Sequence, residues 1–310
     1  MSTKRYTVAC LAGDGVGPEL VGEATSLVAE VSRFHGFVVD DVHPAFGSEA
    51  FVRYGHPFPR STRDACLDAD AVLVGAPREP ALERLAGELD LRATVTWVRA
   101  PRGDDVLLVS PVSEDASAWT VARAFELARR RRARLTSVDV GGDWRALVEE
   151  AAQRHDGLTV EHLSVAEGLP ALAFECGRFD VVVTGALFAD ALVDVAASRV
   201  QGARVVASAR LAEHGPGLFL PDHGAARAIA GQGVANPSSM LLAAALMLGA
   251  GLGEHSAAET LQGAVLGAVG HRARTPDMGG RGTTRDFTKV VRGGLPHAVT
   301  NAEFLRGAYA

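Results

Sequence analysis

Short apolar runs alternate with longer stretches of helical periodicity along most of the chain. The runs are rich in β-branched residues and lie at 6–12, 71–75, 106–109, 134–138, 181–184 and 204–208. Between them, apolar residues recur at the spacing of one helix face in 19–34, 119–132 and 144–155. Because apolar strands that alternate with helices are typical of parallel sheets, the pattern predicts an α/β fold with a largely parallel sheet.

The alternation stops at 231–237, a segment that contains two glycines and ends in proline. Two apolar helical stretches follow at 238–252 and 257–269, and we interpret them as core or subunit-interface helices. The apolar run 240–253 is shorter than the roughly 20 residues that a bilayer-spanning helix needs. We therefore expect no membrane segment, and we expect no targeting segment because Asp14 follows the first apolar run where a cleavage site should lie.

Composition restricts the partners of the chain. Its 310 residues include 31 Lys and Arg against 37 Asp and Glu, a formal net charge of −6. This balance gives no electrostatic footprint for nucleic acid or an anionic membrane, so we expect a small diffusible ligand. The length predicts two domains or lobes. Cys10, Cys66 and Cys176 are odd in number and far apart, which is typical of reduced thiols in a cytoplasmic protein.

The first candidate site is a glycine loop. The segment GDGVGP (13–18) joins the first predicted strand to the first predicted helix. Backbone N–H groups at the start of a helix can bind an anion or the edge of a cofactor. Since Gly13 and Gly15 do not follow the GxGxxG spacing, a tight structural turn is an equal alternative.

A second candidate is a pair of carboxylates. Asp190 and Asp194 are four residues apart on a predicted helix, so both project from one face. Two like charges there repel unless a cation lies between them, and hard oxygen ligands suit Mg²⁺ or Mn²⁺. The alternative is that both are ordinary solvated helix carboxylates.

The third candidate is the segment PDHGAARAIAGQGVANP (221–237). Its glycines and small residues let the backbone approach a flat ring closely. His223 can stack on such a ring, and Asn236 can offer a donor and an acceptor to the edge of a base. The ordered combination is therefore more informative than either side chain alone.

Together these motifs resemble the isocitrate/isopropylmalate dehydrogenase family, in sequence and in their order along the chain. The resemblance is carried by GDGVGPE (13–19), by 188–194 and by 223–237. Further similarity lies at 55–59, 69–76, 124–139 and 274–280, so the resemblance covers nearly the whole chain.

The resemblance implies an isopropylmalate-dehydrogenase-like two-lobed fold, not a Rossmann fold. By this analogy, 1–96 and 222–310 form a large cofactor-side lobe, and 97–221 form a smaller lobe for dimerisation and substrate binding. Members are usually homodimers whose active site is shared between subunits.

The resemblance also implies a chemistry. Such enzymes oxidise a 3-substituted malate with NAD or NADP, and Mg²⁺ or Mn²⁺ stabilises the enolate as the β-carboxylate leaves. By position, Asp190 and Asp194 match metal ligands, and Arg92 and Arg99 match two of three arginines that clamp the substrate. The residues that match the cofactor-binding loops are Gly13, Asp14, Gly15, His223, Gly224, Ala225, Arg227 and Asn236.

Several positions depart from the family pattern. The catalytic lysine that follows Ser-Val-Asp in the family is Val140 here, and the lysines, Lys4 and Lys289, lie near the two ends of the chain. No tyrosine occupies the shortened segment 110–118, and no arginine lies at 109–111. The metal-binding aspartate that the family's partner subunit supplies matches Ala166. These changes remove the family's general acid and general base.

The cofactor loop departs as well. The acidic residue that NAD-dependent members use for the ribose hydroxyls matches Ala228. Arg227 precedes it and either meets the 2′-phosphate of NADP or is a solvent-exposed arginine. The choice between the two cofactors stays open.

Three functional hypotheses follow. The first is an NAD(P)-dependent oxidoreductase acting on a 3-substituted malate or related hydroxy acid, with weak or absent decarboxylating dehydrogenase activity. In that case the candidate replacements for the missing general acid and general base are Glu167, Asp115 and Asp143. The second is a non-catalytic binding or regulatory homologue, as a homodimer or as a heteromer with an active homologue. The third is a non-redox enzyme acting on a carboxylic acid.

Overall fold

The structure is a computed structural model that describes residues 3–76, 80–99, 105–198, 205–271 and 274–308. The chain forms two compact units. The first unit comprises Met1–Asp90, Ala207–Ala209 and His214–Ala310, and the second comprises Leu91–Val206 and Arg210–Glu213.

The first unit contains a parallel sheet with the strand order β2-β1-β3-β10. Its strands are β1 (Arg5–Leu11), β2 (Val38–Val42), β3 (Ala71–Val74) and β10 (Gly217–Pro221). Its helices are α1 (Gly17–His35), α2 (Ser48–Tyr54), α3 (Arg60–Leu67), α4 (Pro80–Ala86), α9 (Ser238–Leu246), α10 (His255–Val269) and α11 (Thr284–Ala308). All residues of β3 and β10 are buried, as expected of strands covered on both faces.

Helix α1 begins directly after the glycine loop. Pro18 lies in its first turn, where a missing N–H costs nothing, and Gly36 ends it in the left-handed conformation at φ +74°. Leu20, Ala24 and Leu27 are among the residues of its buried face. This packing fixes the start of the helix at the carboxyl end of β1.

The second unit contains strands in the order β4-β5-β8-β6-β7. The strands are β4 (Leu91–Arg99), β5 (Asp105–Pro111), β6 (Arg134–Asp139), β7 (Thr159–Ser164) and β8 (Val181–Thr184). The helices are α5 (Ser117–Arg129), α6 (Gly142–Ala152), α7 (Val165–Glu175) and α8 (Ala186–Ser198). The pair β4–β5 is antiparallel and the other pairs of this unit are parallel. The remaining strand, β9 (Val206–Ala212), contributes residues to both units.

The predicted α/β class with a largely parallel sheet is confirmed. Every residue of α9 is buried, so the apolar stretch that begins at 238 is a core helix, which continues as a π-helical turn over Met247–Gly251. The predicted strand 204–208 corresponds to β9, although residue 204 lies outside the described residues. Among the described residues, no helix is both long and apolar enough to cross a membrane.

The unit boundaries differ from the sequence-predicted ones at 96/97 and 221/222. Strand β4 pairs with β5 from Ala93 to Arg99 without interruption, so residues 91–96 belong with the second unit. Strand β10 pairs with β3, so residues 217–221 belong with the first. The boundaries between the two units therefore follow the pairing of β4 with β5 and of β10 with β3. The sequence of a single strand does not show which strand it pairs with.

Candidate functional site

The glycine loop of the first unit is built on positive φ angles and a close backbone approach. Gly13 and Gly15 have φ angles of +68° and +64°. A Cβ atom at Gly15 would lie 1.8 Å from the carbonyl oxygen of Ala225, and Val16 N donates to that same oxygen at 2.8 Å. The loop that begins at His223 is thus bound directly to the glycine loop, and only glycine fits at position 15.

Asp14 joins three segments of the first unit. Its Oδ1 accepts a hydrogen bond from Ser48 N at 2.9 Å, and its Oδ2 accepts from Ser48 Oγ at 2.5 Å and from Arg227 Nη2 at 2.7 Å. Burial alone raises the pKa of the Asp14 carboxyl, but the hydrogen bonds from Ser48 and Arg227 outweigh it and hold the pKa below its usual value. Asp14 is therefore an ionised carboxylate that organises the loops.

Arg227 is mostly exposed, yet its guanidinium is ion-paired to Asp14. It lies at the start of a 3₁₀ turn, Arg227–Ile229, after Ala226 in the left-handed conformation at φ +40°. Neither alternative that the sequence left open for Arg227 included this ion pair. The sequence gives no indication of the ion pair between Asp14 and Arg227 because the two residues are 213 positions apart.

His223 and Asn236 also have protein partners. His223 Nδ1 lies 3.0 Å from the carbonyl oxygen of Gly224. Asn236 Nδ2 donates to Asp277 at 2.9 Å, and its Oδ1 accepts from Ser238 N at 3.0 Å, at the start of α9. The amide oxygen of Asn236 thus binds the first turn of a helix, and its predicted contact with a base edge stays a prediction.

A cavity of about 590 Å³ lies in the first unit beside these loops. It is lined by the first turns of α1, by Gly231–Gly233 and by the start of α11 around Thr284. Glu19 Oε1 is buried without a hydrogen-bond partner and belongs to the lining. One residue of the lining therefore has a buried carboxylate oxygen that makes no hydrogen bond.

In the second unit, Asp190 and Asp194 lie on α8 as the sequence predicts. Helix α8 follows β8, and both aspartates are exposed. Their spacing places both carboxylates on one helix face. No group of three or more His, Cys, Asp or Glu residues suited to a metal occurs in the described part of the chain.

The two predicted substrate arginines do not meet. Arg92 and Arg99 lie at opposite ends of β4, and a strand rises about 3.3 Å per residue, so their Cα atoms are about 23 Å apart. Their odd spacing also directs them to opposite faces of the sheet. Arg99 Nη1 is ion-paired to Asp105 Oδ2 at 3.3 Å. The two side chains are therefore not adjacent on this strand, and their predicted role in binding substrate stays a prediction.

Arg92 is the arginine of this pair that neighbours the segment 110–118. Its Nη1 lies 3.2 Å from Asp115 Oδ2, and its Nε lies 3.6 Å from Glu213 Oε2. The side chain is 29% exposed. Sequence reasoning named Asp115 only as a candidate replacement acid and did not consider Glu213.

An exposed valine lies at the position that the family resemblance matches to a catalytic lysine. Val140 follows β6 and is 76% exposed. The preceding Asp139 is buried and accepts hydrogen bonds from Ser137 Oγ at 2.8 Å, Gly141 N at 2.7 Å and Arg145 Nη2 at 3.0 Å. His162 Nδ1 lies 3.5 Å from Asp139 Oδ2. The cluster around Asp139 thus contains two basic side chains that the sequence did not single out.

Two of the candidate replacement acids are held ionised. Glu167 is the third residue of α7 and accepts hydrogen bonds from Ser164 N at 2.9 Å and Ser164 Oγ at 2.7 Å, a capping box that lowers its pKa. A hydrogen bond from Ser113, aided by Arg92, likewise lowers the pKa of Asp115. Since a general acid near neutral pH needs a raised carboxyl pKa, neither environment favours that role.

Comparison with known proteins identifies one family over nearly the whole chain. A family model for isocitrate/isopropylmalate dehydrogenase matches residues 7–99 and 93–291. The 3-isopropylmalate dehydrogenase of Synechococcus sp. (strain CC9605) is 34% identical over 341 residues, covering 91% of this chain and 96% of that one. The 3-isopropylmalate dehydrogenase of Aquifex aeolicus is 29% identical and covers 99% and 100%.

A solved structure shares the fold. The apo form of a β-decarboxylating dehydrogenase from Thermococcus kodakarensis superposes with a TM-score of 0.82 at 26% identity, covering 94% of this chain and 96% of that chain. The predicted isopropylmalate-dehydrogenase-like architecture is confirmed by this likeness.

Proposed function

The chain belongs to the isocitrate/isopropylmalate dehydrogenase family, and we propose that it binds a small carboxylic acid and a nicotinamide dinucleotide but oxidises and decarboxylates 3-substituted malates weakly or not at all. The observation that carries the proposal is Val140, exposed at the position of the family's catalytic lysine. A valine side chain cannot transfer a proton.

The second unit offers no other lysine or tyrosine for proton transfer. The segments 91–206 and 210–213 contain no lysine and no tyrosine. Tyr6 donates a hydrogen bond to Glu254, and Lys4 is ion-paired to the same carboxylate, both within the first unit. A positioned general acid or base contributes about 10²–10⁴ in rate, so the loss of two such groups makes turnover very slow.

The chain offers a partial metal site. Mg²⁺ in proteins is typically held by one or two carboxylates together with waters and substrate oxygens, and Asp190 and Asp194 fit that donor set. A bound Mg²⁺ or Mn²⁺ would supply Lewis acidity toward a substrate oxygen. Without the aspartate that Ala166 replaces, the two carboxylates of α8 carry the binding.

The first unit fits a dinucleotide in part. Gly15 allows the close approach of the two loops, and Glu19, which lines the neighbouring cavity, has a buried carboxylate oxygen without a hydrogen-bond partner. Ala228 brings no carboxylate to the ribose hydroxyls, and Arg227 is paired with Asp14. Neither position therefore favours NAD over NADP, and the proposal includes both cofactors.

A non-catalytic binding or regulatory role is the second candidate. It is favoured by the same loss of proton-transfer groups together with exposed apolar residues on two helices of the second unit. Phe174 on α7 is 79% exposed and Leu187 on α8 is 85% exposed. Because α7 and α8 pack together, we propose that this face binds another chain, as a homodimer or with an active homologue.

The cysteines agree with a reducing, cytoplasmic location. Cys10, Cys66 and Cys176 are free and buried. Burial raises the pKa of Cys10 and of Cys66 to about 12, so both thiols stay protonated and unreactive.

Binding and turnover measured on the same preparation test the proposal. We expect NADH or NADPH to change its fluorescence on titration with the purified full chain, while 3-isopropylmalate or isocitrate with Mg²⁺ and NAD or NADP produces little absorbance at 340 nm. Brisk reduction of either cofactor would overturn the claim of weak activity. Absence of dinucleotide binding would overturn the cofactor proposal.

A further inference from the structure

The cavity of the first unit has two acidic residues on one wall. Its volume of about 590 Å³ lies within the range of small-molecule sites, and it is lined by α1, by Gly231–Gly233 and by the start of α11. Glu19 and Glu23 both belong to the lining and are four residues apart on α1, so they lie on the same face of that helix. An acidic wall therefore borders a space large enough for an organic ligand.

Glu19 lacks a partner within the described part of the chain. Its side chain is partly buried, its Oε1 makes no hydrogen bond, and no described cation is paired with it. Two neighbouring acids differ, because Glu30 is ion-paired to Arg292 at 2.9 Å and Asp286 accepts a hydrogen bond from Thr283 Oγ1 at 2.7 Å. A partly buried carboxylate without a partner has lost hydration without compensation, so a ligand cation would stabilise it.

Glu23 is held only weakly by its neighbour. Its Oε1 lies 4.0 Å from Arg285 Nε, and the Arg285 side chain is 92% exposed. An exposed ion pair at that distance contributes little. The charged residues of the lining are Glu19, Glu23 and Arg285, so the lining carries a net charge of −1. It attracts a cation and repels an anion such as the phosphates of a dinucleotide.

Glycines keep the cavity open. Gly22, Gly231 and Gly233 line it, and a Cβ atom built at any of these three positions would meet no heavy atom within 4 Å. Gly22 lies in the interior of α1 and has no left-handed φ. A larger side chain can therefore replace Gly22 without strain and occupy the space.

We infer that this cavity binds an aliphatic diamine, with one ammonium group on Glu19 and the other on Glu23. Residues four apart on a helix have Cβ atoms about 5–6 Å apart, and a chain of four methylene groups separates two ammonium groups by a similar distance. A bare metal ion would leave most of the cavity unused, and the described residues contain no metal-suited group of three or more His, Cys, Asp or Glu. The diamine is neither the proposed acid nor the proposed cofactor, so the inference goes beyond the proposed function.

Three ligands of similar length test the charge requirement. The compound 1,4-diaminobutane has two ammonium groups, 1-aminobutane has one, and 1,4-butanediol has none. Isothermal titration calorimetry of the full chain should give a Kd for the diamine at least about tenfold lower than for the monoamine, because each hydrogen bond to a charged group adds to the affinity. The diol should give no measurable binding. No binding of the diamine, or equal affinities for diamine and monoamine, would overturn the inference.

A charge variant connects the diamine to the acidic wall. Glu19→Gln removes one carboxylate and should weaken diamine binding about tenfold, to the level of the monoamine. Glu49→Gln is the matched control, because Glu49 is an exposed acid of α2 outside the lining, and it should leave the Kd unchanged. Equal weakening in both variants would show that the diamine responds only to the net charge of the chain, which would overturn the assigned site.

A second variant fills the cavity and keeps both carboxylates. Gly22→Leu should abolish diamine binding. Gly267→Leu on α10 is the matched control, since Gly267 also has open space around its Cβ position and no left-handed φ. Circular dichroism checks that each variant is folded, and diamine binding that survives in folded Gly22→Leu would contradict the inference. These titrations contain no carboxylic acid and no dinucleotide, so their failure would leave the proposed function intact.

Discussion

The loop cluster of the first unit and the strand ends of the second unit carry the family resemblance in different ways. In the first unit, the matched polar residues Asp14, Arg227 and Asn236 all bind other residues of the protein. In the second unit, Asp190, Asp194 and Val140, the residue that the family resemblance matches to a catalytic lysine, are exposed. The polar residues of the first unit hold its loops together, whereas the exposed residues of the second unit do not contribute to its core.

This difference teaches how to interpret the two sets of motifs. The glycine loop and the segment that begins at His223 should keep this conformation even in a chain that bound no cofactor. Val16 N donates a hydrogen bond to the segment, and Gly15 packs closely against it. Val140, Asp190 and Asp194 are exposed, so substitutions there should change the fold little. These exposed positions are therefore the better places to test the proposed chemistry.

The largest expected effect comes from closing the space between the two loops. Gly15→Ala places a Cβ atom 1.8 Å from the Ala225 oxygen at a φ of +64°, so we expect a loss of about 3 kcal/mol in the free energy of unfolding. Gly233→Ala is the matched control, since Gly233 has a φ of +65° but open space around its Cβ position. It should lose only about 1–2 kcal/mol. Equal losses in urea denaturation would show that the close approach does not matter.

A smaller effect should follow removal of the Asp14 charge. Asp14→Asn weakens the hydrogen bonds to Ser48 and Arg227 and should cost about 1–3 kcal/mol at pH 7. Because the folded-state pKa is lowered, the wild-type advantage is fully present above the unfolded pKa of about 3.9 and is lost as pH falls through the folded pKa. Urea denaturation from pH 7 to pH 3 should show the two curves converging. A difference that stays constant over this range would assign the effect to packing.

The smallest effect concerns the exposed carboxylates of α8. In EDTA, Asp190→Asn/Asp194→Asn should be as stable as wild type or more stable by about 0.2–0.5 kcal/mol, because a like-charge pair is removed. Mg²⁺ at ten times its Kd should stabilise wild type by about 1.4 kcal/mol and leave the double variant unchanged. Asp156→Asn removes another exposed acid of the same unit and should respond to Mg²⁺ as wild type does. A Mg²⁺ response in the double variant would contradict the proposed metal site.

The sequence predicted those elements whose signal is local. Runs such as 71–75 and 181–184 correspond to the fully buried strands β3 and β8, and the apolar stretch from 238 corresponds to the buried α9. The strand β4 carries Thr94, Thr96 and Arg99 among its apolar residues and pairs antiparallel with β5, so its signal was weaker than that of the others.

The parts of the site that depend on distant residues could not be predicted. The ion pair between Asp14 and Arg227 and the approach of Glu213 to Arg92 join residues far apart in the chain. Residue matching also gave no indication that Arg92 and Arg99 lie at opposite ends of one strand, β4. The Ser-x-x-Glu spacing that begins at Ser164 is a local signal for a capping box. The sequence analysis nevertheless did not assign this role to Glu167.

The central proposal is that the protein oxidises 3-substituted malates weakly or not at all because position 140 cannot transfer a proton, and a gain of function tests it most directly. The initial rate of absorbance change at 340 nm is measured with 3-isopropylmalate, Mg²⁺ and NAD or NADP for wild type, Val140→Lys and Val52→Lys. Val52→Lys serves as the control because Val52 is an exposed valine of the first unit. We expect wild type and Val52→Lys to stay near background and Val140→Lys to rise about tenfold or more, within the range of one restored general base. A wild-type rate well above background that Val140→Lys does not increase would contradict the account.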